Sequence, residues 1–322
     1  MTREEILALM APDVINDVAK QLQSRKRPLL EAVFKDVVFS ASDTVKLVEL
    51  DPSRKAVPFS EPSNPAPEYS KEKYGLNAIE IPLIKLKKFL PPSEIRKLSS
   101  LTGDGVVRTI STYIEQLKNS LYETYEVLAA KALSGSIRHA LHGGGEVNID
   151  FGTINTYTPS ITWDNSSADI FKDIKAMKEL ISSQTSHGDF ALLVGTDVMS
   201  AMLKNPDIKD WLKYTQGEKI AENGTLYRLA EVDIVEVSGT YVDADGISKA
   251  FIPPRTVYMV ARTALKKVFG PPEDVNFTAA TDIFVYTASQ EKDPQGIEIG
   301  AHGRFLPAVL TTEAIVKATV LP

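Results

Sequence analysis

Apolar residues recur by threes and fours over several stretches of the chain and gather in short runs elsewhere, a pattern that predicts helices mixed with strands. Val14, Ile15, Val18 and Leu22 stand at helical spacing behind Asp13, which can cap a helix, and predict a short amphipathic helix over residues 13–23. Val107, Ile110, Ile114, Leu117, Leu121 and Leu128 repeat with only Thr124 interrupting, which predicts one long helix from Val107 to about Ala140. At ~1.5 Å per residue it would run to about 50 Å, the length of a spine rather than of an ordinary core helix. Gly143-Gly144-Gly145 is its expected stop. A shorter helix begins at Ser93, behind Pro91-Pro92, and is expected to break near Gly103 and Gly105.

The second half changes style. Ser166 or Ser167 is expected to cap a helix carrying Ile170, Ile174, Met177 and Ile181, and Thr196 another through Leu203. Phe190 to Val194 reads as a buried strand, followed by strands at Asp233–Val237, Ile247–Ile252, Thr256–Ala261 and Leu265–Phe269. Asp243-Ala244-Asp245-Gly246 has the composition of a hairpin turn joining the first two of these. Further strands are expected at Ile283–Thr287, Ile297–Ile299 and Ala314–Val320.

Residues 51–76 break the pattern, holding Pro52, Pro58, Pro62, Pro65 and Pro67 with few apolar residues beyond Val57, Phe59 and Leu76. Strand-like stretches flank them: Thr44 to Leu50, and Asn77 to Phe89 with Ile79, Ile81 and Leu83 on one face. A structureless loop of this length is uncommon inside a compact domain. Residues 39–90 therefore read as a protruding two-stranded arm, which needs a neighbouring chain to complete it. Lys85, Lys87 and Lys88 crowd its second strand, either protecting an edge or meeting another subunit.

Composition narrows the function. A chain of 322 residues with 43% hydrophobic residues can bury a large core, and 36 Lys+Arg against 42 Asp+Glu gives a net charge of −6. That balance lacks the basic footprint of a nucleic-acid binder. There is no cysteine, so disulfides, Cys-ligated metals and cysteine nucleophiles are excluded. No apolar run reaches the ~18 to 20 residues of a membrane span. The opening Met-Thr-Arg-Glu-Glu does not read as a signal peptide, so use without secretion is expected.

Catalytic signatures are sought and not found. His139 and His142, three apart at the expected helix end, lack a local third ligand, while His187 and His302 precede glycines as turn residues do. Gly143–Gly145 follow a helix, whereas phosphate-cradling loops follow a strand. Glu123 and Glu126 read as a solvated helix face, and Arg25, Lys26 and Arg27 as a solvated helix end. No enzyme, metal or cofactor is expected.

Several stretches in order nevertheless carry a likeness. They are Tyr122 to Gly135 with its Ala/Leu-rich end, Val147 to Gly152 with Asp150-Phe151-Gly152, Trp163-Asp164 with Asp169-Ile170, and Gly239 to Pro253 with its Tyr-Val hairpin ending in Phe-Ile-Pro. The stretch after Thr256 and the region Ala301–Pro307 also fit. Together, over most of residues 30–322, they resemble the lambda-type major capsid (major head) protein family of tailed bacteriophages. The resemblance implies an α+β fold with an N-terminal arm (1–38), an extended two-stranded loop (39–92), a peripheral domain with a long spine helix (93–160), an axial domain (161–280) and a return to the peripheral domain (281–322).

It further implies a subunit that forms hexamers and pentamers of an icosahedral shell enclosing double-stranded DNA without sequence-specific binding, assembled in the host cytoplasm and free of membrane. A decoration protein, a scaffold and a portal would be its partners. No crosslinking residues are carried over. The expected assembly residues lie on the arm: Lys55, Phe59, Tyr69, Lys71, Lys73, Tyr74, Lys85 and Lys87. Two rivals remain at this point: the shell of a bacterial nanocompartment enclosing enzyme cargo, and an enzyme using His139, His142 and Glu123 on the spine helix.

Overall fold

The computed structural model describes residues 3–22, 27–47, 78–214, 221–222, 225–243, 246–291 and 295–322. Helices α1 (Arg3–Leu9) and α2 (Pro12–Gln21) open the chain, with Pro12 in the first turn of α2, where its missing N–H costs nothing. A π-helical turn, Leu29–Val33, leads to β1 (Asp36–Phe39) and β2 (Thr44–Val45), and past residues 48–77 come β3 (Ile79–Glu80) and β4 (Leu83–Leu90). Then follow α3 (Pro92–Ser99), α4 (Gly103–Ala132), β5 (Ser136–Ala140), β6 (Glu146–Asp150), β7 (Asn155–Tyr157), α5 (Ile170–Gln184), β8 (Phe190–Val194), α6 (Thr196–Lys204) and α7 (Pro206–Tyr214). The last part is mostly strand: β9 (Ala221–Glu222), β10 (Thr225–Leu226), β11 (Arg228–Leu229), β12 (Val232–Glu236), β13 (Thr240–Val242), β14 (Ser248–Ala250), β15 (Thr256–Ala261), β16 (Leu265–Phe269), β17 (Phe284–Gln290), β18 (Gly296–Val309) and β19 (Ile315–Thr319).

Two sheets organise these elements. The first runs β1-β16-β18-β17, with β4 also paired to β18. Residues 296–302 of β18 pair with β17, residues 297–304 with β4, and residues 305–309 with β16. The second sheet runs β11-β12-β8-β15-β19-β7. Its strands β8 and β15 are buried on both faces: Leu192, Val194, Val257 and Met259 enter one apolar cluster, Ala191, Leu193, Tyr258 and Val260 the other. Burial on both sides is why they read as continuous apolar runs rather than alternating ones.

The chain passes between the sheets at two short 3₁₀ turns, Arg262–Ala264 and Thr312–Ala314. At the first, the buried Arg262 guanidinium bridges Asp189 and Asp233, each at 2.7 Å. The second turn sends β19 into the second sheet, so the single return segment expected over 281–322 is divided between the two sheets. The hairpin expected to join Asp233–Val237 to Ile247–Ile252 is also different: β13 pairs with β14, while β12 lies parallel to β8.

The spine helix α4 has 30 residues, about 45 Å at ~1.5 Å each. It starts at Gly103, where a break was expected, because Thr102 caps it by accepting the Gly105 N–H. Its buried seam is Val106, Ile110, Ile114, Leu117, Leu121, Tyr125, Leu128 and Ala132, with Tyr125 filling the gap that Thr124 left in the apolar pattern. It ends sooner than expected. Gly135, at φ +88°, turns the chain, and a Cβ there would overlap the Gly152 carbonyl. Residues 136–140 then form β5, and Gly143–Gly145 close the β5–β6 hairpin instead of stopping a helix.

The N-terminal segment, expected as an arm, folds onto its own chain. Ile6, Met10 and Ile15 are buried. Asn16 exchanges two hydrogen bonds with the Val285 backbone, at 2.8 and 2.9 Å, so α2 is clamped to β17.

Candidate assembly surfaces

The root of the expected arm lies within the described residues. β2 pairs antiparallel with β3, Thr44 opposite Glu80 and Val45 opposite Ile79, so the two ends of the expected arm lie side by side. Lys55, Phe59, Tyr69, Lys71, Lys73 and Tyr74 lie outside the described residues. The single strand expected over 77–89 is split at Ile81-Pro82, since proline has no N–H to give a ladder. Beyond the split, β4 belongs to the body: it pairs with β18 from Leu83↔Arg304 to Leu90↔Ile297.

This placement changes the reading of the lysine cluster. Lys87 pairs with Glu298 of the neighbouring strand at 3.0 Å, and that hydrogen bond and charge raise its pKa. Lys88 lies 3.6 Å from the centre of the Tyr113 ring, a cation–π contact with the spine helix. Lys85 is exposed opposite His302, and no ion pair holds it among the described residues. Of the five lysines expected at an interface, the two within the described residues differ: Lys87 is engaged within its own subunit, and Lys85 is open on an edge strand whose one strand partner among the described residues is β18.

The spine helix gathers buried polar groups that the sequence pattern did not reveal. Glu126, read as part of a solvated face, is 2% exposed. Its carboxylate accepts the N–H groups of Leu29 at 2.8 Å and Leu30 at 3.1 Å, which the π-helical turn leaves unpaired. Burial pushes its pKa up to about 7, against the lowering effect of those N–H groups and of Arg27. Arg27 is no solvated helix end either: it pairs with Glu123 at 3.0 Å and donates to the Asn119 carbonyl at 3.2 Å. Nearer the start of the helix, Lys118 donates to the Ala19 and Leu22 carbonyls at 2.6 and 2.8 Å, and desolvation lowers its pKa. Tyr122 and Tyr125 both hold Asp282, through its carboxylate and its carbonyl respectively. The helix thus ties down Ala19, Leu22, Arg27, Leu29, Leu30 and Asp282, all from distant parts of the chain.

A groove of about 550 Å³ lies between α4, β5 and the β13–β14 hairpin, lined among others by Glu123, Val127, His139, Tyr241 and Asp243. Asp243 of this lining accepts from Lys131 at 2.9 Å, and Lys131 also donates to the Arg138 carbonyl at 2.8 Å. His139 sits in β5 and His142 in the glycine turn, so neither stands on the spine helix as the enzyme reading required. Burial, then the Lys131 charge, lowers the His139 pKa. Among the described residues no three His, Asp or Glu side chains are placed to hold a metal ion. No helix among them is long and apolar enough to cross a membrane. His302, expected in a turn, is buried in β18 and accepts the Glu273 N–H.

A two-sheet body and a long helix that ties distant segments together describe a building block better than a reaction vessel. A putative capsid protein of a prophage of E. coli CFT073 superposes with a TM-score of 0.67 at 14% identity, over 96% of this chain and 99% of that one. A phage-related protein of Bordetella bronchiseptica RB50 superposes with a TM-score of 0.61 at 15% identity, over 97% and 98%. These likenesses establish the fold. No curated sequence gives a significant match. The family described as phage major capsid protein E matches residues 12–320, which favours a phage shell over a nanocompartment and a structural role over an enzymatic one: this chain belongs to that family.

Proposed function

We propose that the chain is the subunit of an icosahedral head, assembling as hexamers and pentamers around double-stranded DNA without reading its sequence. The family match over residues 12–320 carries this reading. The first sheet with α4 serves as the peripheral unit and the second sheet, with α5 to α7, as the axial unit. The arm springs from the β2–β3 root and carries the contacts of Lys55, Phe59, Tyr69, Lys71, Lys73 and Tyr74 with a neighbouring subunit, while Lys85 adds a charge at the edge of β4. Exposed main-chain groups on such an edge recruit a neighbouring segment without a reactive site. A net charge of −6 suits a container that must not hold its DNA by phosphate contacts. Scaffold, portal and decoration proteins complete the particle, which forms in the host cytoplasm before it becomes part of the virion.

Deletion of residues 54–74 tests the reading. The variant is expected to remain soluble and folded, and to form no closed shells by negative-stain electron microscopy when co-expressed with scaffold, under conditions where the full chain does. Normal shells from the deletion variant would remove the arm from assembly. Enzyme cargo instead of DNA in the particles would return the nanocompartment reading.

A further inference from the structure

Between β16 and β17 the chain makes a loop, residues 270–283, with no regular structure. It carries Val275, 96% exposed and the most exposed large hydrophobic side chain among the described residues. The loop is nevertheless tied down at several points. Gly270 donates to the Arg304 carbonyl at 3.2 Å. Phe277 packs on Phe284 with centroids 5.0 Å apart, and Asp282 is held by Tyr122 and Tyr125.

The remaining tie is of a different kind. The Glu273 N–H donates to Nε2 of His302 at 3.1 Å, and the Glu273 carboxylate meets Arg304 at 2.8 Å. His302 is 3% exposed, with the rings of Phe284 and Tyr286 at 5.3 and 5.6 Å. We infer that His302 is a proton-operated latch on this loop: the neutral ring holds Glu273 through Nε2, and protonation releases it.

The chemistry follows from the imidazole. A neutral ring offers one nitrogen lone pair, and here Nε2 uses it for a backbone N–H. The imidazolium has no lone pair, so its Nε2–H would face the Glu273 N–H donor to donor. The charged groups around the ring divide. Lys85, opposite on β4, and Arg304, two residues along β18, disfavour a second positive charge, while Asp274 and Glu273 of the loop favour it. Tyr286 of β17 is a neutral neighbour, and on the side of the spine helix Tyr125 meets the Asp282 carbonyl beside Gly303. Arg304 holds one oxygen of the Glu273 carboxylate, and it is the Glu273 backbone N–H that faces Nε2, so a charged ring is left without an acceptor there while the loop keeps its place. Burial, together with Lys85 and Arg304, keeps the ring neutral down to lower pH than an exposed histidine.

Release would reach beyond the loop. Arg304 also donates to the Ile81 carbonyl at 3.2 Å and lies 3.9 Å from Glu80, so the residue that shares Glu273 with the latch also steadies the arm root. The latch itself rests on contacts within one chain; only its effect on neighbouring copies rests on the proposed shell.

Hydrogen exchange on the unassembled full-length subunit tests it, corrected for the intrinsic pH dependence of exchange. Protection of the Glu273 amide is expected to fall by about tenfold or more between about pH 7.5 and about pH 5, while amides of β15 stay protected. His302→Gln keeps an acceptor and cannot titrate, so its loop should remain protected at both pH values. His302→Phe should leave the loop open at both. Unchanged protection in the native chain would overturn the latch, and so would the same pH-dependent loss in His302→Gln. The β15 amides show whether each variant is folded. An imidazole titration of the native chain by NMR tests the same release without substitution: the Glu273 amide resonance should move with the His302 ring, and an amide that stays still as the ring titrates would overturn the latch. Shell formation is scored separately by microscopy, so failure of the latch and failure of the shell reading are distinguishable.

Discussion

The two apolar cores are built from differently spaced parts of the chain. The core on the outer face of the second sheet draws on residues 163–264 and returns only for 314–320. Its buried acid is locally served: Asp173 accepts the Trp163 indole N–H and the Tyr157 hydroxyl, both at 2.8 Å and from 10 and 16 residues away. The core around the first sheet runs from Ile6 to Ile315. Its polar ties span the chain, Glu126 reaching Leu29 over 97 residues and Lys118 reaching Ala19 over 99. A local core can organise early and tolerate distant change, whereas a core of long-range ties must close several large loops before its contacts form.

Overfilling the long-range core gives the largest expected effect. A Cβ on Gly303 would overlap the Tyr125 hydroxyl and the Asp282 carbonyl, at the point where β18, the spine helix and the 270–283 loop meet. Gly303→Ala should cost about 3 kcal/mol of unfolding free energy, the upper end for overpacking. Chemical denaturation measures it, and a loss below about 1 kcal/mol would show that this junction yields. In the local core, Asp173→Ala leaves the buried Trp163 N–H without its acceptor, and should cost about 2 kcal/mol by the same assay. If the two losses were reversed in size, the distinction between the cores would fail.

The same distinction decides what is legible in the sequence. Thr256–Ala261 is legible to the residue, because a strand buried on both faces needs only an apolar run, and Leu265–Phe269 keeps its expected bounds although the half-buried Lys266 and Lys267 interrupt its apolar positions. The extent of β18 is hidden beyond Ile297–Ile299. Gly300, His302, Gly303 and Arg304 interrupt its apolar pattern, and they fit because the Tyr286 ring covers Gly300 and Tyr125 abuts Gly303. The spacing carries the helix past Ala132 because apolar positions continue through Ile137, while the turn that ends it depends on one glycine at positive φ. Lys87 is legible as charged and exposed, but its partner Glu298 stands 211 residues away. Glu126 resembles its solvated neighbour Glu123 because the N–H groups that claim it arrive from another segment. Side-chain spacing reports the face of an element; it does not report which distant backbone will be brought to that face.

The smallest expected effect is the most discriminating, because two buried groups of the first core titrate with opposite sign. Glu126 has its pKa raised to about 7 from 4.5, so between those values the folded chain binds more protons than the unfolded one and the contribution of this group falls as pH rises. His302 has its pKa lowered from 6.5, so below that value the unfolded chain binds more protons and stability is lost as pH falls toward the folded value. The two slopes oppose each other over the acidic side of neutrality, and each is at most about 1.4 kcal/mol per pH unit. Subtracting the stability of Glu126→Gln from that of the native chain, pH by pH, should therefore give a curve that falls from about pH 4.5 to about pH 7. The same subtraction for His302→Gln should rise up to about pH 6.5. Other carboxylates titrate in every variant and cancel in the differences. Two curves of the same sign would mean that Glu126 stays ionised on the Leu29 and Leu30 N–H groups, and that these hydrogen bonds outweigh its burial.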